Sequence, residues 1–132
     1  MSENTYRDIF LKTKELYKKI GVIKCPALDN NPIHFNSVGF THLIRKGKDL
    51  RPISDQIRRF KLLPSAVETV SHGKMINHRM LQKTVTVKNN KIKIEKKIII
   101  HFWTLLLISA SESIKVVIIQ EGNGQKNFLS IM

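Results

Sequence analysis

The period of the apolar pattern changes at Gly73, and that change limits the folds open to this chain. Before it, apolar residues recur at helical spacing. Tyr6, Ile9, Phe10, Thr13, Leu16, Tyr17 and Ile20 follow the i, i+3, i+4, i+7 rule of one helix face, with Lys12, Lys14, Lys18 and Lys19 off the stripe. Gly21 suits the C-cap of that helix. After Gly73, from about His78 to Met132, the chain is rich in Val, Ile, Thr and Phe, with turn signals between the runs. Helices first and strands afterwards make an α+β domain, with helices packed on one sheet face.

Finer expectations follow from punctuation. Residues 21–32 hold Pro26, Asp29, Asn30, Asn31 and Pro32, a loop composition, and Ile33-His34-Phe35 alternates like a short edge strand. Ser37 to Arg45 reads as a helix with Ser37 as N-cap, and Lys46-Gly47-Lys48-Asp49 as a basic turn. Pro52 to Leu63 is a helix carrying Ile53, Ile57 and Phe60 on one face. Pro64 stops it, and the capping box Ser65-Ala66-Val67-Glu68 opens another that ends at Gly73. The predicted strands are 79–88, 92–108 (bent or broken near Lys96-Lys97), 114–120 and 126–131. Turns fall at Asn89-Asn90, Ser109 to Ser113 and Glu121-Gly122-Asn123-Gly124. Short connections favour a four-stranded antiparallel sheet. The length of 132 residues fits one domain, with 1–32 as N-terminal helix and linker and 33–132 as core.

Charge narrows the partners. Lys and Arg number 23 against 10 Asp and Glu, a net +13, while apolar residues make up 42% of the chain. That much apolar content excludes a disordered basic tail, and +13 asks for a polyanion or an acidic partner. The longest apolar run, Ile98 to Ala110, has thirteen residues, short of the roughly 20 that span a membrane. Cys25 is the single cysteine, so no intrachain disulfide or thiolate zinc site is expected. The opening residues do not read as a signal peptide. Together these point to a cytoplasmic protein that does not engage a membrane.

The candidate site residues are basic, imidazole and hydroxyl groups. Between His42 and Lys61 stand Arg45, Lys46, Lys48, Arg51, Arg58, Arg59 and Lys61 against Asp49 and Asp55. That is the footprint of phosphate binding, or else a solvated helix face with Asp55 pairing Arg58 and Arg59. His42 shares a helix face with Arg45 and Lys46. Neighbouring cations disfavour its charged form, which suits a general base near neutral pH. Alternation places Ile99, His101, Trp103 and Leu105 on one strand face. His101 there is either a hydrogen-bonded core residue or a site residue, and Trp103 either core or a platform for a base. On the last strand, Lys126, Phe128, Ser130 and Met132 alternate onto one face, offering a cation and a hydroxyl to a phosphate oxygen. The basic residues of the sheet half, nine against three acidic ones from Met75 to Met132, read as spread along the strands. Glu95, Glu112 and Glu121 are spaced like isolated surface charges, a poor basis for a two-metal nuclease. No Walker loop or Gly-x-Gly-x-x-Gly run is present, and no cofactor is expected.

Several of these residues fall into a known order. His34-Phe35-Asn36, Gly39-Phe40-Thr41-His42-Leu43, Arg51, Asp55-Gln56-Ile57-Arg58-Arg59, Leu62-Leu63-Pro64, Phe102-Trp103, Lys115-Val116-Val117-Ile118 and the terminal Gly124 to Met132 together resemble the phage- and toxin-associated branch of the barnase/EndoU/colicin/RelE-like nucleases. The resemblance covers about residues 33–132. It implies N-terminal helices on a four-stranded antiparallel sheet, and metal-independent RNA cleavage in which the substrate's 2′-hydroxyl attacks the adjacent phosphate. Carried onto matching positions, it makes His42 the base or acid, gives Arg58 or Arg59 the phosphate, and places Ser130 in the site. His101, as second proton-transfer group, and Lys46 rest on the reading of the residues instead. The expected partners are RNA and, for a toxin, an acidic inhibitor protein. The rival expectations are a non-catalytic RNA- or DNA-binding module and a structural phage protein of the same fold.

Overall fold

The computed structural model describes residues 3–109 and 112–132, so the tip of the turn expected at Ser109 to Ser113 lies outside the described residues. Three helices and eight strands follow in the order α1 (Glu3–Ile20), β1 (Val22–Cys25), β2 (Asn31–His34), α2 (Ser37–Ile44), β3 (Arg45–Lys46), β4 (Asp49–Leu50), α3 (Ile53–His72), β5 (Lys74–Asn89), β6 (Ile92–Ile108), β7 (Ser113–Glu121) and β8 (Lys126–Ile131). The α+β class is as expected, but the main sheet has six strands, ordered β1-β2-β8-β7-β6-β5. It is mixed: every pair is antiparallel except β2–β8, which runs parallel over Ile33–Lys126 and His34–Asn127. The two extra strands are β1, from the stretch read as a loop, and β2, which overlaps the short edge strand read at Ile33-His34-Phe35. Val22–Cys25 and Asn31–His34 form a hairpin around a 3-10 turn at Pro26–Leu28, with Asp29 and Asn30 in the left-handed region. Side-chain amides stabilise such turns, and Asn31 donates to the Leu28 carbonyl at 2.5 Å.

Two helix expectations also change. Asn36, not Ser37, caps α2, accepting from the Val38 amide at 3.2 Å. α3 runs unbroken through Pro64. A proline in a helix interior costs about 3 kcal/mol, and the flanking face of α3 offsets it: Phe60, Leu63, Ala66 and Val70 are all buried. β6 is likewise continuous past Lys96-Lys97.

One sheet face, the helix face, holds the core. Leu105, Val116, Ile118, Phe128 and Ile131 are fully buried there, and Leu63 and Val70 of α3 are equally buried. α1 joins through aromatics: Phe10 meets Phe40 and Phe60, and Tyr17 meets Phe35 and Phe128. α2 packs so tightly on β8 that a Cβ at Gly39 would collide with the Phe128 ring and carbonyl and lie 2.6 Å from the Tyr17 hydroxyl. Asn36 joins these pieces. Its carbonyl accepts from the Tyr17 hydroxyl at 2.6 Å, and its amide donates to Asn127 at 2.8 Å. The opposite, open face carries Ile98, Phe102, Thr104, Leu106, Val117 and Ile119, all partly exposed.

β5 and β6 outrun the rest of the sheet. β7 pairs β6 only from Ile100 to Ile108, whereas β5 pairs it to Asn89–Ile92. Residues beyond Leu81 and Ile100 therefore form a two-stranded arm, about 26–30 Å long at roughly 3.3 Å per residue. Asn90 and Lys91 turn it, both with positive φ, as a tight two-residue hairpin loop demands.

Candidate nucleic-acid interface

The sequence-predicted site residues fall into two separate groups. The first lies where α2, α3 and the end of β8 meet. The α2–α3 connection is the small β3–β4 hairpin, and Arg45, Lys46 and Lys48 stand exposed on it, Arg45 donating to the Lys48 carbonyl at 3.2 Å. Arg51 and Arg59 do not face solvent as expected of phosphate binders. They are buried, at 8% and 9% exposure, and committed inside the fold. Arg51 donates from Nε to the His42 carbonyl at 3.0 Å and from Nη1 to Asp55 at 3.3 Å. Arg59 donates from Nη1 to the Ile131 carbonyl at 2.6 Å and from Nε to Asp55 at 3.4 Å. Arg58 is exposed but also pairs with Asp55, at 3.0 Å. One carboxylate thus holds three guanidiniums. Gln56 bonds the Arg51 carbonyl at 2.8 Å and accepts from the Tyr6 hydroxyl, so α1 closes the network. Lys61 is exposed on α3.

Charges in this group oppose each other. Burial pushes the Asp55 carboxyl up, but hydrogen bonds and charge from Arg58 and Arg59 outweigh it and hold it below its ordinary value. Burial, then the charges of Arg51 and Arg59, lowers His42 from its ordinary 6.5, so the ring is neutral at pH 7. Arg51 Nη2 lies 3.5 Å from His42 Nδ1, a long contact. A guanidinium only donates, so Nδ1 is the acceptor and Nε2 carries the proton. In that tautomer Nε2–H is the group His42 offers to a partner.

The second group is on the helix face of the sheet, beyond the helices. His78, His101 and Trp103 lie with their rings nearly parallel. His78 and Trp103 are 4.9 Å apart at 15°, and His101 and Trp103 5.2 Å apart at 9°. His78 Nε2 and His101 Nδ1 are 2.9 Å apart, so one donates and the other accepts. Lys126 Nζ sits 5.2 Å from the Trp103 ring centroid and 3.4 Å from the Asn31 amide oxygen. Register explains the cluster. His78 pairs with Trp103, and His101 with Gln120, which pairs with Lys126. Sequence reading missed His78, because only the 25-residue pairing His78–Trp103 brings it to the site. The same face continues along the arm as Thr84–Lys97, Thr86–Glu95 and Lys88–Lys93.

Ser130 does not join Lys126. A β-bulge opposite Val117/Ile118 adds a residue to β8, so Ser130 pairs with Val117 on the open face while Lys126 stays on the helix face. Ser130 itself is buried, next to the Ile131 carbonyl that Arg59 holds. The two groups stand about 15 Å apart along β8, from Lys126 to Ile131. His42, His101, Arg58 and Ser130 therefore do not converge on one cleft.

Comparison with protein-family models, curated proteins and solved structures finds no match. Among the described residues, no three His, Cys, Asp or Glu side chains group closely enough to hold a metal ion, and no helix is long and apolar enough to cross a membrane. The structure also redraws the charge map. From Lys74 to Ile99, eight basic residues face the single carboxylate of Glu95, a net +7 of the chain's +13. Charges that read as spread along strands are gathered on the β5–β6 arm and its base.

Proposed function

We propose that this protein binds single-stranded RNA along the helix face of β5–β8 and acts on it as a metal-independent endoribonuclease. The observation that carries the reading is the partly exposed cluster of His78, His101 and Trp103 rings beside Lys126. Aromatic rings flanked by cations on a sheet face suit unpaired bases and their phosphates. From His78 to Lys88 the track runs about 33 Å, with Lys88, Lys93 and Lys97 along it. The resemblance of residues 33–132 to barnase/EndoU/colicin/RelE-like nucleases supports the catalytic half.

In this reading the chemistry sits at the histidine pair. One ring holds a proton and the other accepts it, so a phosphodiester seated there meets both an acid and a base. Lys126 supplies positive charge for the phosphoryl oxygens. In-line attack puts the 2′-oxygen and the leaving 5′-oxygen on opposite sides of phosphorus, so the rings must part when RNA enters. The 2.9 Å hydrogen bond that joins the two rings favours a second reading, in which the same surface binds RNA and leaves it intact.

RNA incubated with the protein in excess chelator decides between them. Cleavage to 2′,3′-cyclic phosphate ends, lost in His101→Ala, is the expected result. Binding with no cleavage establishes the second reading. Cleavage that survives His101→Ala but disappears in His42→Asn moves the chemistry to the α2–α3 rim. Neither binding nor cleavage refutes both.

A further inference from the structure

The open face of the sheet remains unexplained by RNA binding. On the arm it carries Val87, Ile92 and Ile94, exposed by 46–63%, and at the base Leu81, exposed by 48%, and Ile108, exposed by 73%. Register puts Val85, Val87, Ile94 and Ile98 on this side, in line with Phe102 and Leu106. β5 and β6 are about 56 Å long and roughly 4.8 Å wide each, and β7 adds nine residues, so the face projects about 700 Å². One side of a standard interface is about 800 Å², so this face, its charged residues included, is large enough to be most of one. A two-stranded arm by itself is marginally stable in water, so a partner that covers it also steadies it.

Charge selects among occupants. Lys83 lies opposite Ile98, and Lys96 opposite Val85, in the middle of the apolar rows. Arg79 lies over Phe102, 4.9 Å from the ring centroid, and Lys115 pairs with Leu106 on the same face. Glu121, opposite Ile100, is the acidic residue among them. A second copy docking by this face would set lysines against lysines, at +13 per chain. Lipid tails would surround Lys83 and Lys96 with no counter-charge. We propose that this face is the docking surface for an acidic protein, whose apolar strip covers the arm and whose carboxylates pair with Arg79, Lys83, Lys96 and Lys115. The RNA track lies on the opposite side of the same strands, so the proposal does not depend on it.

The test uses the full chain and three synthetic probes: an amphipathic leucine–glutamate peptide, its leucine–lysine counterpart, and polyglutamate. The leucine–glutamate peptide should bind at least about tenfold more tightly than either control. Ile92→Glu and Ile94→Glu, both at exposed positions, should each weaken it about tenfold or more. Thermal melting of the variants confirms that they fold, and RNA affinity, read separately, should remain unchanged. Equal binding of polyglutamate, or binding indifferent to both substitutions, would overturn the proposal. So would a dimer in sedimentation, or binding to phosphatidylserine vesicles, that Ile94→Glu abolishes.

Discussion

Replacing Trp103 with alanine separates stacking from charge at the RNA surface. Trp103 is the chain's only tryptophan, and its ring lies nearly parallel to both His78 and His101, about 5 Å from each. A base on an aromatic side chain contributes about 1–3 kcal/mol by alanine substitution, so Trp103→Ala should raise Kd about 5- to 150-fold. The charge contribution is independent. Lys88, Lys93, Lys97 and Lys126 stand on this face. Four phosphate contacts on a single strand give log K a slope of about −2.8 against log salt. Lys93→Gln with Lys97→Gln should reduce that slope to about −1.4, whereas Trp103→Ala should leave it unchanged. Titration with short oligouridylate reads the wild type through quenching of Trp103 itself, and anisotropy of a labelled oligomer reads the variants. Trp103→Phe keeps an aromatic platform and should recover most of the loss, which controls for the packing of Trp103 against the core. The reasoning fails if Trp103→Ala leaves affinity unchanged, or if RNA binds without quenching the wild type.

Three further predictions concern the framework. Asp55→Asn leaves the buried Arg51 and Arg59 without their shared counter-charge, though each keeps a backbone acceptor. Urea unfolding at pH 7 should show a loss of about 2–3 kcal/mol, below the 3–5 of a fully buried pair because Asp55 is part-exposed. Gly39→Ala should destabilise by at least about 1–3 kcal/mol, since neither the Phe128 carbonyl nor the Tyr17 hydroxyl can withdraw easily; a thermal melt within a degree of wild type would refute the close packing of α2 on β8. His42 titrates below 6.5 in the folded chain, so the unfolded chain takes up the proton first and stability falls as pH drops below about 6.5. His42→Gln should flatten stability measured between pH 7 and 5.

The class of fold is legible in the sequence because the change of apolar period at Gly73 is a local signal. Helix α1 and the alternation of His101 with Trp103 are read off directly for the same reason. What is missed depends on contacts between distant residues. The parallel pairing of Ile33 with Lys126 converts a proline- and asparagine-rich stretch into sheet edge. The buried face of α3 overrides the stop signal of Pro64 and the capping box after it. At the candidate site, the basic composition of residues 42–61 shows clearly, but Asp55 turns Arg51 and Arg59 inward. A bulge of one residue in β8 sends Ser130 and Lys126 to opposite faces. His78 carries no local mark at all.

The placement of β8 has a consequence for synthesis. Residues 126–131 form an interior strand, with β2 on one side and β7 on the other. Chains are made from the N-terminus, so α1, β1, β2, α2 and α3 all emerge before the strand that joins them to β5–β7. Until Lys126 to Ile131 appear, the core around Phe128 and Ile131 is open and Arg59 lacks its carbonyl. A nascent chain of this protein therefore carries its positive charge on the ribosome before the sheet can close, and takes its final shape only once Lys126 to Ile131 have emerged.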